Sequence, residues 1–134
     1  MLLENIQKAV ALGQRIGHVF VATADGNGLP HVATAGKLRS VSDRRIEVAA
    51  WFCPGTVINL QQNRRVSLVA WDAAEDAGYQ ILGEVEHIRD TAMLNGYSPE
   101  KESKTPLPQT ERTLQVRIDR VYAFSQAPHS DEEE

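Results

Sequence analysis

The chain has 134 residues, of which 42% are hydrophobic, and its formal net charge is −4 at pH 7. This length suffices for one domain with a single core and leaves little room for a second. Four of the 18 acidic residues form the C-terminal run 131–134, so the rest of the chain carries 14 acidic and 14 basic residues. A neutral body argues against broad nucleic-acid binding, which needs a basic face.

Cysteine content and hydropathy indicate the cellular compartment in which we expect the protein. Cys53 is the single cysteine of the sequence, so no internal disulfide can form, which favours a reducing environment. The sequence shows neither a signal-peptide pattern nor a run of about 20 apolar residues. We therefore expect a cytoplasmic protein that does not interact with membranes.

The first segment has the spacing of an amphipathic helix. Apolar residues recur at helical intervals from Leu2 to Ile16, and Gly17 follows them. Glycine is a common residue at the end of a helix. The pattern predicts a helix within residues 1–16 that ends at Gly17.

Strand patterns take over after Gly17. Runs of β-branched and aromatic residues alternate with turn signals such as Asp25-Gly26-Asn27-Gly28, which is typical of antiparallel hairpins. A change of alternation in the last run predicts a bulge near Asp119-Arg120. The predicted strands are residues 18–23, 31–41, 45–51, 65–71, 78–88 and 112–124.

The segments between these strands complete the predicted fold. We predict a short helix over 56–63 with Val57, Ile58 and Leu60 facing inward, a helical turn over 90–96 and a loop over 97–110. Residues 126–134 are predicted to be a disordered acidic tail. Residues 1–125 then form one mainly β domain with small helices, in which six antiparallel strands close into a barrel that leaves no unpaired edges.

Residues 49–60 contain the first candidate site. Pro54-Gly55 ends a strand and Thr56 begins a helix. A helix N-terminus offers free N–H groups and a positive dipole end, which suit a phosphate. Gly55 lets the backbone approach the anion, and the Thr56 hydroxyl can donate to it. The same pattern also begins many helices that bind nothing.

Small residues on the strand over 31–37 form the second candidate site. Such a strand leaves a flat space beside the backbone, where main-chain N–H and C=O groups can pair with the polar edge of a flavin ring. The alternative is that a helix or a partner subunit packs over these small side chains.

In this order, the segments resemble the pyridoxamine 5′-phosphate oxidase-like family of FMN-binding split barrels. The resemblance rests on an apolar strand before the turn at Gly28, Pro30 with its small-residue strand, and a strand that ends in an aromatic residue. It continues through the helix over 56–63, which leads into Arg65-Val66-Ser67-Leu68, and the strand over 78–85. It covers residues 17–88 well and the last strand more loosely.

The resemblance implies a six-stranded split barrel that binds FMN as a homodimer, with the second subunit closing each pocket. It also implies an oxidoreductase acting on a small molecule, in which the flavin carries the redox chemistry. The residues that match the family's cofactor site are Thr34, Ala35, Gly36 and Lys37 along the ring, Ala50, Trp51 and Phe52 beside it, and Gly55, Thr56 and Asn59 at the phosphate end.

No protein side chain has a convincing catalytic setting, and the substrate is not indicated. Cys53 is best interpreted as a small hydrophobic residue rather than a redox thiol. The four histidines are dispersed at no metal-ligand spacing, so we expect no metal site.

The chain departs from the family beside Thr56. Many members carry a basic residue there, whereas Gly55 and Val57 are uncharged. A phosphate monoester carries close to two negative charges, and a helix N-terminus compensates for about half of one. Lys37, Arg39 or an arginine of a second subunit would have to supply the rest. The departure keeps open a non-catalytic ligand-binding or sensor barrel that binds haem, a deazaflavin or no cofactor.

Overall fold

In a computed structural model, which describes residues 2–51, 54–94 and 109–130, the N-terminal segment forms helix α1 (Leu2–Ile16). The helix ends at Gly17, whose φ of 91° is a conformation that glycine adopts at little cost. The buried side chains of Ile6, Ala9 and Val10 pack α1 onto the sheet. The predicted helix is therefore present with the predicted end.

The remaining chain forms one antiparallel sheet and a second helix, so the fold is the mainly β antiparallel barrel that was predicted. The sheet has the strand order β2-β1-β5-β6-β7-β4-β3. The elements are β1 (Val19–Ala24), β2 (Pro30–Ala35), β3 (Lys37–Ser42), β4 (Arg45–Ala50), α2 (Pro54–Gln62), β5 (Arg65–Asp72), β6 (Ala77–Leu94) and β7 (Gln109–Ala123).

The strand order explains the shape of the barrel. Strands β2 and β3 are joined by Gly36 alone, yet they occupy the two opposite ends of the hydrogen-bonding order. The sheet must therefore curl until its two ends meet at Gly36. The Gly36 N–H donates to the Ala49 carbonyl at 3.3 Å, which ties this seam to β4.

The prediction of six strands was wrong by one, because residues 31–41 do not form a single strand. Residues 30–35 pair with β1, whereas residues 37–42 pair with β4, and the chain bends between them at Gly36. The β-branched and apolar residues on both sides of Gly36 gave no sign that the two halves have different partners.

The predicted helical turn over 90–96 was also wrong over residues 90–94, whereas residues 95–96 lie outside the described residues. Residues Asp90 to Leu94 extend β6 and pair with the start of β7, which begins at Gln109. Gln109 and Thr110, assigned to a loop from the sequence, are thus part of a strand, while residues 97–108 lie outside the described residues. The bulge is confirmed, because Leu82 pairs with Arg120 and Gly83 with Ile118, which leaves Asp119 as the extra residue.

Alternation along the strands builds the core. The barrel interior is filled by buried aliphatic side chains: Val19, Val21, Ile46, Val48, Val66, Leu68, Ile81, Val85, Leu114, Val116, Ile118 and Val121. On α2, Leu60 is buried and Val57 packs against the core, as predicted. Ile58 is 51% exposed, so its predicted inward position was wrong. At about 100° per residue, Ile58 points away from the side that Thr56 and Leu60 share.

The described part of the C-terminal segment is held against the β5–β6 turn. Asp76 accepts hydrogen bonds from the backbone N–H groups of Gln126 and Ala127 at 2.7 and 2.9 Å. It also accepts one from Trp71 Nε1 at 3.1 Å. Residues 126–127 of the predicted tail are therefore anchored, and residues 131–134 lie outside the described residues.

Candidate functional site

An open groove of about 430 Å³, which we call the slot, lies at the seam where β2, β3 and β4 come together. Six of the ten residues predicted to hold a cofactor line it, together with three that were not predicted. The six are Thr34, Ala35, Gly36, Lys37, Ala50 and Trp51, and the three are His18, Ala49 and Glu111.

Small residues give the slot its form. Lys37 of β3 pairs with Ala49 of β4, which places Ala49 near Gly36, the residue before Lys37. Because both Gly36 and Ala49 are small, the floor of the slot carries little side-chain bulk. Trp51 is exposed at one side. Ala35 is only 4% exposed and belongs to the core, so it can meet a ligand with its backbone but hardly with its side chain.

A Lys37–Glu111 ion pair forms the polar edge of the slot. Lys37 Nζ lies 2.9 Å from Glu111 Oε2, and the Thr91 hydroxyl donates to Glu111 Oε1 at 3.0 Å. The hydrogen bond from Lys37, followed by the one from Thr91, lowers the pKa of Glu111 below its usual value, so the group is a carboxylate at neutral pH. The sequence offered no signal for Glu111, because its position depends on the pairing of β7.

The other predicted residues form a separate cluster at the start of α2. Thr56 is fully buried, and its Oγ1 lies 3.5 Å from Nδ1 of His31 on β2. Asn59 donates through Nδ2 to the Thr23 hydroxyl at 3.1 Å. Gly55 lies beside the same imidazole, because a Cβ added to it would be 3.7 Å from His31 Nε2. Phe52, the tenth predicted residue, lies outside the described residues.

The structure therefore brings the predicted residues together in two groups rather than one. Strand β2 runs through both, since His31 contacts the start of α2 and Thr34 lines the slot. At about 3.3 Å per residue, these two positions are roughly 10 Å apart along the strand. An elongated ligand would have to extend along β2 to reach both groups.

The cations predicted to neutralise a phosphate have carboxylate partners. Lys37 pairs with Glu111, and Arg39 pairs with Glu47, which also accepts from Arg89 at 2.8 Å. Helix α2 itself, with the sequence PGTVINLQQ, carries no charged side chain. The slot is thus an open groove with an ion pair at its edge, whereas the start of α2 offers backbone N–H groups and a neighbouring histidine but no fixed positive charge.

A face of exposed apolar side chains adjoins the slot. Phe20, Val32, Trp71 and Phe124 surround an open groove of about 450 Å³ on the outer side of β1, β2 and β5. Phe20 is the cross-strand partner of Thr34, so this apolar face and the slot share an edge. We refer to it below as the aromatic face.

A protein-family model matches this chain. The family model described as pyridoxamine 5′-phosphate oxidase matches residues 6–125, which is most of the chain. A search of curated protein sequences finds no match. Among the described residues, no helix is both long and apolar enough to span a membrane.

Solved structures share the fold at low sequence identity. An FMN-binding protein from Syntrophomonas wolfei subsp. wolfei is 19% identical, with a TM-score of 0.64 over 93% of this chain and 89% of that one. A Clostridium acetobutylicum protein related to general stress protein 26 of B. subtilis (pyridoxinephosphate oxidase family) is 14% identical, with a TM-score of 0.65 over 99% and 96%. An F420 reductase is 16% identical, with a TM-score of 0.59 over 83% and 93%.

Proposed function

Because the chain belongs to the pyridoxamine 5′-phosphate oxidase family, we propose that it is an FMN-binding flavoprotein and an oxidoreductase with a small-molecule substrate. The observation that carries the proposal is the slot, a shallow groove of small residues into which six of the predicted cofactor residues converge. We further propose that it works in the cytoplasm as a homodimer with the cofactor at the subunit interface.

The proposed site divides the cofactor between the two groups of residues. Thr34, the backbone of Ala35 and Gly36, and Lys37 would hold the ring, with Ala50, Trp51 and Phe52 beside it. Gly55, Thr56 and Asn59 would lie at the phosphate end. When bound, FMN would supply the redox chemistry, and the protein would hold and orient it. No side chain is assigned as a catalytic acid, base or nucleophile.

The aromatic face supports the homodimer. Val32 is 62% exposed, and Phe20 and Phe124 are exposed beside it on the outer surface of the sheet. A contiguous exposed apolar surface costs free energy in water and commonly marks an interface. Since this face borders the slot, a second copy packed against it would also cover the open side of the slot.

A spectrum of the protein as purified tests the proposal. Bound FMN is expected to give a yellow protein whose flavin fluorescence is quenched, and titration of the stripped protein with FMN should restore both properties. Light scattering on the same sample should report twice the chain mass of 14.8 kDa. A colourless protein that leaves FMN fluorescence unchanged would contradict the proposal.

The second candidate is a non-catalytic ligand-binding or sensor barrel that binds haem, a deazaflavin or no cofactor. Two observations favour it: the start of α2 lacks a fixed cation, and Lys37 and Arg39 are already paired with carboxylates. The structural likeness to an F420 reductase is consistent with a deazaflavin. A Soret band would identify haem, and a preference for F420 over FMN in the same titration would identify a deazaflavin.

A further inference from the structure

Of the nine residues that line the slot, three can carry charge: His18, Lys37 and Glu111. Lys37 and Glu111 come from β3 and from the start of β7, which are distant in the chain. The side chain of Glu111 is 12% exposed, whereas that of Lys37 is 75% exposed. The carboxylate is therefore fixed within the structure, and the ammonium group lies over it at the rim of the slot.

Several contacts hold the Glu111 carboxylate in place. Thr91 on β6 donates its hydroxyl to Glu111 Oε1, and Lys37 occupies the other oxygen. The Thr113 hydroxyl lies 3.5 Å from that of Thr91 and extends the network. Carboxylate oxygens that each accept a hydrogen bond have few orientations left, so Glu111 gives Lys37 a defined position.

The neighbouring arginines pair with a different carboxylate. Arg39 and Arg89 both pair with Glu47, on the same outward surface as Lys37, and this group of three side chains keeps one net positive charge. Among the described residues that line the slot, the Lys37–Glu111 pair and His18 are the groups that can carry charge.

We propose that Glu111 is a positioning residue that holds Lys37 at the edge of the slot, and that its carboxylate cancels the effect that the Lys37 ammonium group would otherwise have on the reduction potential of a bound flavin. The inference rests on the proposed function, because it requires the flavin ring to lie in the slot. A flavin ring that takes up two electrons and one proton gains one negative charge. A nearby cation favours that state and a nearby carboxylate opposes it, while a closed pair largely cancels both effects.

The cancellation gives opposite signs for the two single substitutions. Glu111→Gln leaves an uncompensated ammonium group at the slot, so reduced FMN should bind more tightly relative to oxidised FMN, and the potential should rise. Lys37→Met leaves an uncompensated carboxylate, so the potential should fall. Each change in the ratio of the two affinities is expected to be about tenfold, which corresponds to about 30 mV for a two-electron couple.

The experiment is a reductive titration of the FMN-loaded protein with sodium dithionite and a reference dye, with all samples at the same pH. The four proteins are wild type, Glu111→Gln, Lys37→Met and the double variant, which should return close to the wild-type potential. Glu4→Gln is the matched control, because Glu4 pairs with Lys8 on the exposed side of α1.

The outcomes separate the inference from the proposed function. If wild-type protein binds no FMN, the proposed function fails. If it binds FMN, the role of the pair is refuted by either of two results. In the first, the reduction potentials of both single variants differ from wild type by no more than that of Glu4→Gln; in the second, both change in the same direction. If Glu111→Gln does not retain FMN, Lys37→Met still tests the inference. An unchanged or raised reduction potential in Lys37→Met would refute it.

Discussion

The slot and the start of α2 are the two halves of the proposed cofactor site, and they are built in opposite ways. The slot is open and lined by small residues, with an ion pair at its edge. The start of α2 is closed, since Thr56 is fully buried beside His31 and Asn59 already donates to Thr23. The slot therefore owes its shape to small side chains. The start of α2 is held by internal hydrogen bonds, whose groups a ligand would have to share.

The difference indicates which half should dominate affinity. A flat ring in the slot would lie against the small residues Gly36, Ala49 and Ala50. A phosphate at α2 would rely on backbone N–H groups and the helix dipole, which contributes about half a positive charge. Riboflavin lacks the phosphate of FMN. Titration of both ligands into the same variants therefore measures separately how much each half contributes to affinity.

Filling the slot should have the largest effect. Thr34→Trp places an indole in the groove from an exposed position, so the affinities for FMN and riboflavin should both fall about 100-fold or more, roughly 2.7 kcal/mol. Thr34→Ser is the control and should bind both normally, and thermal unfolding of the two variants should be similar. A yellow Thr34→Trp protein would show that the ring lies elsewhere. Ala35 is unsuited to this test because a large side chain there would disrupt the core.

Removing the Thr56 hydroxyl should change the affinity for FMN but not the affinity for riboflavin. Thr56→Val keeps the shape of the buried side chain, and its loss of one hydrogen-bonding group should weaken FMN about tenfold. Riboflavin affinity should not change, because the ring half is untouched. A loss shared equally by both ligands would contradict the assignment of Thr56 to the phosphate. An aspartate at this fully buried position would confuse ligand binding with the cost of burying a charge.

Asn59 tests whether the helix start is mainly structural. Asn59→Ala removes the hydrogen bond to Thr23, so the free energy of unfolding should fall by about 1 kcal/mol in urea denaturation of the ligand-free protein. Gln61→Ala, an exposed neighbour on the same helix, should change little. If Asn59→Ala left stability unchanged but abolished FMN binding, the hydrogen bond would be dispensable and Asn59 would be a ligand-binding residue.

The smallest effect is expected from acid, which should change the contribution of the Lys37–Glu111 pair to stability more than that of α2. The pKa of Glu111 is lowered in the folded state, chiefly by Lys37, so the pair stabilises the fold above the unfolded-state pKa of the carboxyl group. That contribution is lost as the pH falls through the lowered pKa. Wild type should therefore be more stable than Glu111→Gln at neutral pH, and the difference in Tm should vanish in acid.

The same test has a counterpart at the helix. Asn59 of α2 and its partner Thr23 carry no titratable group, so the difference in Tm between wild type and Asn59→Ala should vary much less with pH over the same acid range. If the Glu111→Gln difference instead stayed constant down to the lowest pH, the carboxylate would make no pH-dependent contribution to stability.

Features encoded by local pattern were predictable from the sequence. The helix over 2–16, the turn at Asp25–Gly28 and the bulge at Asp119 follow from periodicity and turn residues, and all three are present. The small residues over 31–37 are also evident from the sequence. The six predicted residues that line the slot came from the resemblance to the family, and their grouping there depends on the pairing of β2, β3 and β4.

Features that depend on strand pairing were not predictable. The break at Gly36 reflects two different partner strands, and Asp90–Leu94 joins β6 only because β7 pairs with it. Glu111 reaches Lys37 across 74 positions of sequence, which no window of residues can reveal. The burial of Thr56 likewise depends on how α2 lies against β1 and β2.

The seam at Gly36 makes the slot a product of the complete sheet. Every other strand lies between β2 and β3 in the hydrogen-bonding order, so the bend at Gly36 closes the sheet only when all the intervening pairs have formed. Pairs between strands that are distant in sequence, such as β4 with β7, form at the cost of closing long loops. A ligand in the slot would bind only the fully assembled chain, and mass action would then protect the whole domain, from α1 to β7, against global unfolding.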